Sequence, residues 1–382
     1  MNQQIDRDRQ RGLYRPEFEH DNCGVGMVAN LSGEASHEIV VNGVTILKRL
    51  LHRGATGNDP ETGDGAGLLL KIPHGFFRKV LKNAANVASS NSQLPIGNIG
   101  IGNWQQFHTG NIPQGNNSTR ATFGDLFGIA MIVGGDGEEE KIEEVVKSEG
   151  CEVLAWRDVP IDPDAIGHDA RAVMPRIRQL FIGTSDIGLP TTATEVRSPK
   201  PEVNSFERRL YIIRRQIEKA TTKTYICSCS SKTIVYKGLL LATQIEKFYP
   251  DLSDPDFVSP FAIVHQRYST NTFPSWELAH PFRAIAHNGE INALKGNLNA
   301  LAAREVSLAS PLFGDELKKL LPVVHGGQSD SASLDNMFEL LVAAGRDAPH
   351  AMMMLIPQAW GAKYHVGHDV RAFYARTCFV IR

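Results

Sequence analysis

The sequence lacks any apolar run near the roughly 18 residues that a membrane-spanning helix requires. Its most apolar stretches, FGIAMIVGG and AMMMLIP, are too short to cross a bilayer. The first 22 residues carry alternating charges without an apolar centre, so they do not have the pattern of a secretory signal. Both absences predict a cytoplasmic protein that does not insert into a membrane.

A strong excess of one charge is also absent. The chain of 382 residues carries 40 basic and 42 acidic side chains, which gives a net charge of −2. This balance lacks the basic surface by which proteins bind nucleic acid or an anionic membrane. A hydrophobic content of 42% is ordinary for a soluble globular protein, and the length suits one large domain or two.

Disulfide, metal and phosphate-binding patterns are missing. Five cysteines, an odd number, without an export signal argue against a disulfide framework. Cys227 and Cys229 do not have zinc-ligand spacing and would share one face of a strand, which favours packing. The 13 histidines are scattered. The glycine loop ETGDGAG fits neither a P-loop nor a dinucleotide loop, and we interpret it as a turn close to a functional site.

The spacing of apolar residues predicts antiparallel sheets with helices packed against them. Stretches typical of strands include GVGMVANL, LLLKI, TYICSCS, KTIVYKG and PFAIVHQRYST, and the clearest amphipathic helix is SFERRLYIIRRQIEKAT. Because the regular alternation of a doubly wound fold is missing, we expect the α+β class. Residues 84–120, rich in Asn, Gly and Ser, predict a long irregular surface segment, and SPKPEVN predicts a linker-like break.

Cys23 stands at the start of the first predicted strand, directly after the polar leader. A thiol with an ordinary pKa of about 8.5 needs a base before it can act as a nucleophile. If the bond between Asn22 and Cys23 were cut, the new α-amine, with a pKa of roughly 8, would be that base. A free cysteine packed in the core explains the same residue, so both interpretations stay open here.

Three further motifs combine an ordinary structural role with possible chemistry. Arg267 ends an apolar strand, where its guanidinium either pairs structurally or binds a carboxylate through two hydrogen bonds. Asn288 and Gly289 form a tight turn or offer two N–H donors to an oxyanion. Asp330 caps a helix or accepts hydrogen bonds from a substrate ammonium group.

The motifs taken together closely resemble one family. They are, in chain order, CGVGMVAN, HRGATGNDPETGDGAG, YICSCSSKTIVYKG, HQRYSTNTFPSW, HNGEIN and QSDSASLDN. This order resembles the N-terminal glutaminase domain of glutamate synthase large subunits, a class II glutamine amidotransferase. The resemblance extends from about His20 to about Tyr374, and so covers nearly the whole chain.

The resemblance implies a fold, an activity and a set of site residues. The fold is that of N-terminal-nucleophile hydrolases, an αββα sandwich of two antiparallel sheets between helical layers. Cys23 is then the catalytic nucleophile, exposed by removal of a propeptide, residues 1–22. Asn288 and Gly289 form the oxyanion hole, Arg267 binds the α-carboxylate of L-glutamine, and Asp330 binds its α-ammonium group.

The resemblance also implies partners outside this chain. Ammonia released from glutamine passes to a synthase region, which aminates and reduces 2-oxoglutarate with flavin mononucleotide (FMN) and an iron–sulfur cluster. An electron-donating small subunit is a further partner that the resemblance suggests. No cofactor is expected in residues 23–382, which we interpret as an amidotransferase domain without the synthase domains.

Two alternatives remain open from the sequence. After GHDVRAFY the family pattern stops abruptly, and ARTCFVIR does not continue it, which predicts a C-terminally truncated domain whose last strands are missing. The chain is then either an active glutaminase module or an inactive fragment. Another N-terminal-nucleophile amidohydrolase or amidotransferase is the second alternative.

Overall fold

The computed structural model describes residues 24–90, 126–184, 201–267, 274–289, 291, 293–325, 327–356 and 366–377, without the side chains of 83–90, 201–203 and 375–377. Cys23 and the predicted propeptide 1–22 lie outside the described residues, as do residues 378–382.

Strands and helices alternate irregularly along the chain. In order, the strands are β1 (Val25–Ala29), β2 (Ala66–Lys71), β3 (Gly128–Gly134), β4 (Cys151–Asp158), β5 (Ile177–Thr184), β6 (Thr224–Ser230), β7 (Thr233–Gly238) and β8 (Phe261–Gln266). The α-helices are α1 (His37–Arg49), α2 (His74–Ser90), α3 (Glu139–Ser148), α4 (His168–Ala172), α5 (Pro201–Ala220), α6 (Ile245–Phe248), α7 (Leu294–Glu305), α8 (Asp330–Ala343), α9 (Ala348–Leu355) and α10 (His368–Thr377). Short 3₁₀ helices cover Leu51–Arg53, Pro163–Ala165, Pro250–Ser253 and Gly314–Leu320.

The first sheet has the strand order β1-β8-β2-β7, and each neighbouring pair is antiparallel. Strand β8 comes late in the chain and lies between β1 and β2. Val25 pairs with His265, and Ala66 pairs with Gln266. The residues that enter β1, enter β2 and leave β8 therefore meet at one end of this sheet.

The second sheet has the order β4-β5-β3-β6 and is also antiparallel. A tight turn at Ser231 and Lys232 leads from β6 of this sheet directly into β7 of the first. The two strands predicted around this turn are confirmed, although they belong to different sheets. The turn thus links the two layers covalently.

Helices cover the outer faces of both sheets. Helix α1 begins at the N-cap Ser36, whose hydroxyl accepts a hydrogen bond from the Ile39 N–H, and it buries an apolar stripe against the first sheet. Gly43 allows close approach, since a Cβ there would lie 2.6 Å from the Cβ of Ala262. Helices α3 and α5 pack on the second sheet, where Leu210 lies against Gly128.

A buried ion pair connects the two sheets. The Nη2 atom of Arg157, on β4, lies 2.7 Å from Oδ1 of Asp251. The hydroxyl of Tyr236, on β7, donates to Oδ2 of the same carboxylate at 2.8 Å. Both charges lose their hydration, and the bidentate geometry compensates for that loss.

The predicted α+β architecture of two antiparallel sheets between helical layers is confirmed. Two local predictions differ from the structure. Residues 84–90 belong to α2 rather than to the irregular segment predicted for 84–120, of which 91–120 lie outside the described residues. The break predicted at SPKPEVN is already helical from Pro201, because proline is favourable in the first turn of a helix.

Candidate active site

The end of β8 brings the predicted site residues near the start of β1. The N–H of Gln266 donates a 2.9 Å hydrogen bond to the carbonyl oxygen of Gly24. Arg267 is the next residue after Gln266, and Cys23 directly precedes Gly24. The antiparallel register therefore sets the predicted carboxylate-binding residue beside the chain that carries the predicted nucleophile.

Gly24 has little space for a side chain. A Cβ at this position would lie 3.0 Å from the carbonyl oxygen of Gln266 and 3.2 Å from Oδ1 of Asn288. The side-chain amide of Asn288 thus approaches the backbone directly after Cys23. Two of the predicted site residues, Arg267 and Asn288, are brought to the same end of β1.

Arg267 leaves β8 with an unusual backbone conformation. Its φ angle of +154° is one that residues with a side chain rarely adopt, at a typical cost of ~1–3 kcal/mol, and such strain occurs often at functional sites. The guanidinium Nε lies 3.7 Å from Oδ2 of Asp64, and the side chain remains 40% exposed. An accessible guanidinium beside one buried carboxylate can still bind a second carboxylate from solution.

Asp64 belongs to the glycine loop ETGDGAG, for which a turn close to a functional site was predicted, and this loop approaches the candidate residue Arg267. Burial raises the pKa of the Asp64 carboxyl, and the nearby charge of Arg267 partly opposes the shift. Gly65 has a φ angle of +140°, and a Cβ there would lie 3.2 Å from the carbonyl of Arg267. The loop therefore needs glycine to approach the end of β8.

The Asn288–Gly289 turn is exposed and is held by histidines. The Nε2 atom of His265, on β8, lies 2.9 Å from the carbonyl oxygen of His287. The Nδ1 atom of His287 lies 3.0 Å from the carbonyl oxygen of Gly289. Because carbonyl oxygens only accept, both ring nitrogens carry protons. Residues 284–289 contain no strand.

The two histidines form a buried cluster with His280. The rings of His265 and His280 stack with centroids 4.4 Å apart, and His280 meets His287 edge to face at 5.4 Å. Burial lowers the pKa of all three, that of His265 to about 4. The rings are therefore neutral at pH 7, and they hold the turn by hydrogen bonds and packing.

Asp330 is buried at the first position of α8, directly after the N-cap Ser329. Its Oδ1 atom accepts a 2.7 Å hydrogen bond from the N–H of Ser331. The residue lines a small cavity of about 50 Å³ whose other walls are mainly apolar. The charge of Asp330 partly opposes the lowering of the His287 pKa that burial causes, so the two side chains lie within electrostatic range of each other.

Metal-binding geometry is not found in the part of the chain that the structure describes. No three His, Cys, Asp or Glu side chains there come together as metal ligands. Cys227 and Cys229 are free thiols, and burial raises the pKa of Cys227 to about 11. Cys227 packs in the larger apolar core and Cys229 packs against Leu210 of α5, which agrees with the predicted packing role. They do not share one face as predicted, because the pairing of β3 with β6 shifts register beside Cys227. These thiols do not fit an iron–sulfur cluster.

Sequence reasoning missed the groups that support the site. Asp64 and the histidine cluster were not singled out, although a histidine in the apolar strand sequence FAIVHQ and an aspartate between glycines are both unusual there. Nothing in the spacing showed that they face Arg267 and the Asn288–Gly289 turn. Their positions depend on the insertion of β8 between β1 and β2.

Comparison with known proteins defines the class. A sequence model of the family described as "Glutamine amidotransferases class-II" matches residues 23–114 and 105–381. The matches cover nearly all of the chain, and the two stacked antiparallel sheets agree with the N-terminal-nucleophile hydrolase fold of this class. The chain belongs to the class II glutamine amidotransferases.

Within that class, the similar curated proteins are glutamate synthases. The chain is 44% identical over 374 residues to the "Glutamate synthase [NADPH] large chain" of Bacillus subtilis and 42% identical over 351 residues to that of Azospirillum brasilense. These matches cover 95% and 91% of this chain. A plant relative, "Ferredoxin-dependent glutamate synthase 2, chloroplastic" of Arabidopsis thaliana, is 36% identical over 348 residues. The chain spans about a fifth of the length of these relatives, 22%, 20% and 19% respectively.

Proposed function

We propose that this chain hydrolyses L-glutamine to glutamate and ammonia, with Cys23 as the nucleophile. The observation that carries the proposal is the hydrogen bond between Gln266 and Gly24, because it brings the residue that follows Cys23 in the chain close to Arg267 and Asn288. Membership of the class II glutamine amidotransferases supports the same substrate.

Two charged residues select an amino acid in this proposal. Arg267 offers its exposed guanidinium to the α-carboxylate of glutamine, and Asp330 accepts hydrogen bonds from the α-ammonium group. A charge-assisted hydrogen bond is stronger than a neutral one, so binding at both charged groups identifies the ligand as an α-amino acid. The side-chain amide of glutamine is then directed toward Cys23.

The reaction proceeds through a thioester. Removal of residues 1–22 gives Cys23 a free α-amine, which takes the thiol proton while sulfur attacks the amide carbon. Asn288 donates from its side chain and Gly289 from its main chain to the developing oxyanion, each donor being worth ~3–4 kcal/mol. Ammonia leaves with the transferred proton. Water then hydrolyses the γ-glutamyl thioester to glutamate and restores the thiol.

We further propose that this module supplies ammonia to a synthase region, as in a glutamate synthase. The similarity to named glutamate synthases over a fifth of their length supports this role. The synthase region then uses FMN, an iron–sulfur cluster and external electrons, delivered directly or through a small subunit, to convert 2-oxoglutarate to glutamate. Among the described residues, no three His, Cys, Asp or Glu side chains come together as ligands for a metal or cluster, and the proposed hydrolysis of glutamine uses neither group.

A cytoplasmic location agrees with the role in nitrogen assimilation that we propose. Within the described residues, no helix has the length and apolar character needed to cross a bilayer.

The proposal is tested by ammonia release from glutamine and from its α-amide, which lacks the carboxylate charge. Cys23→Ala is expected to abolish release. Arg267→Ala is expected to raise KM for glutamine about 10–100-fold and to leave KM for the α-amide nearly unchanged. Arg171→Ala, which removes an exposed arginine from the pair with Asp164, is the matched control. If Arg267→Ala discriminates between glutamine and its α-amide as the wild type does, Arg267 does not bind the α-carboxylate.

An inactive wild-type chain with Met1 still present would instead favour the inactive-fragment alternative. Rapid cleavage of other amides, with glutamine as a poor substrate, would favour a different N-terminal-nucleophile hydrolase. The mass of the N-terminal peptide and the substrate preference therefore distinguish the three alternatives.

A further inference from the structure

We propose that Asp335 is a positioning residue for glutamine hydrolysis. Its carboxylate connects the segment that carries Asn288 and Gly289 to the helix that carries Asp330. The inference rests on the function proposed above. It assigns Asp335 no contact with substrate. The carboxylate would act only through the backbone that it holds.

Asp335 makes two hydrogen bonds to the segment before the oxyanion turn. Its Oδ1 atom accepts from the N–H of Ala284 at 2.9 Å and from the N–H of Ile285 at 3.1 Å. Its Oδ2 atom lies 3.2 Å from Nε of Arg283. The side chain is fully buried, so these contacts do not compete with water. One carboxylate therefore binds three consecutive residues of the segment.

Arg283 and Asn336 add a second connection between the same parts. The Nη2 atom of Arg283 donates to Oδ1 of Asn336 at 2.7 Å, and Nδ2 of Asn336 donates to Oε1 of Gln328 at 2.9 Å. Gln328 immediately precedes Ser329 and Asp330. The segment before the oxyanion turn is thus tied to α8 and to the residues that lead into it.

Helix α8 acts as a rigid spacer between the two halves of the site. Asp330 and Asp335 lie five positions apart on α8, which corresponds to about 7.5 Å along the axis. Asp330 would hold the substrate ammonium group, and Asp335 holds the backbone three residues before Asn288. A displacement of about 1 Å between binding and reacting groups can lower turnover by ~10²-fold. The contacts of Asp335 oppose such a displacement.

Several charges surround Asp335 and decide its ionisation. Burial and the neighbouring Glu339 raise its pKa to about 6, while Arg283 opposes the shift. The other charged or titratable groups that interact with it are Arg214 on α5, Tyr225 on β6 and Lys237 on β7. Protonation near pH 6 would remove the charge that the two amides and Arg283 face.

The test compares Asp335→Asn with Glu339→Gln in the full chain. Glu339 contacts the same guanidinium of Arg283 at 2.8 Å but has no hydrogen bond to the Ala284 or Ile285 amides. Asp335→Asn is expected to lower kcat for glutamine about 10–100-fold, with KM changed less than about threefold. Hydrogen–deuterium exchange at residues 283–289 should accelerate in Asp335→Asn and not in Glu339→Gln.

A second readout does not require turnover or a folded variant. In wild-type protein, the ¹⁵N-labelled amides of Ala284 and Ile285 should shift with a midpoint near pH 6. Wild-type kcat in Asp335→Asn, equal losses in both variants, or amides that do not titrate would overturn the positioning role. An inactive wild-type chain whose amides titrate as expected would refute the proposed function. The hydrogen bonds between Asp335 and the amides of Ala284 and Ile285 would remain supported.

Discussion

The N–H of Gln266 donates a 2.9 Å hydrogen bond to the carbonyl oxygen of Gly24, and this bond joins the end of β8 to the residue that precedes β1. Residues far apart in sequence thereby become neighbours. Arg267 follows one partner and Cys23 precedes the other. Strand register thus brings Arg267, the proposed carboxylate-binding residue, to the residue that follows the proposed nucleophile in the chain.

Gly24→Ala is expected to lower kcat for glutamine at least about tenfold while the protein remains folded. The added Cβ would lie 3.0 Å from the Gln266 carbonyl and 3.2 Å from Oδ1 of Asn288, so one of them must move. Steady-state kinetics and thermal unfolding measure the two effects. Gly75→Ala is the control, because a Cβ on Gly75 meets no atom within 4 Å. Equal kinetics in both variants would show that the approach of Asn288 to Gly24 does not matter.

Asp64→Asn is expected to raise KM for glutamine about 3–10-fold with little change in kcat, because the Arg267 guanidinium loses its nearby carboxylate. Glu61→Gln, an exposed change in the same loop, should leave both constants unchanged. A loss confined to kcat, with KM unaffected, would mean that Asp64 does not act through substrate binding.

The ion pair between the sheets should contribute to stability and not to binding. Asp251→Asn is expected to lower the free energy of unfolding by ~3–5 kcal/mol, since it leaves Arg157 buried without a counter-charge. Urea denaturation measures this, with KM for glutamine unchanged in the folded protein. The control is Asp256→Asn, which removes an exposed ion pair with Lys79 and should cost less than about 1 kcal/mol. Similar costs for the two variants would contradict the argument from burial.

The histidine cluster makes stability depend on pH. The pKa of His265 is about 4 in the folded protein, below its ordinary value of 6.5. Its contribution to stability is therefore fully present above pH 6.5 and is lost as the pH falls through 4, by up to about 3 kcal/mol. His265→Gln keeps a donor toward His287 and cannot titrate. Between pH 6.5 and 4.5, the free energy of unfolding of this variant should fall less than that of the wild type. Parallel pH curves for the two proteins would refute the lowered pKa of His265.

Much of the fold could be predicted from local patterns. The apolar alternation of the strands and the apolar stripe of the predicted helix SFERRLYIIRRQIEKAT are properties of single segments, and both are present in the structure. The boundary of α5 was misplaced because SPKPEVN contains the residues of a typical break. Position determines the effect of proline, since Pro201 stands where a helix can begin.

The candidate site was predictable only in part. Arg267, Asn288 and Asp330 were found from motifs and residue chemistry. Asp64 and Asp335 were not, because their roles depend on which backbone they reach after β8 has inserted between β1 and β2. Asp335 lies in a helix whose sequence alone suggests an ordinary buried position, and its contacts with the Ala284 and Ile285 amides are long-range.

The most direct test of the account is covalent labelling with an electrophilic analogue of glutamine, followed by mass spectrometry. The account predicts one adduct, on the thiol of Cys23, in a chain whose first residue is Cys23. Labelling should slow in Arg267→Ala. An adduct on Cys151, Cys227 or Cys229, or no adduct in a preparation that hydrolyses glutamine, would contradict it.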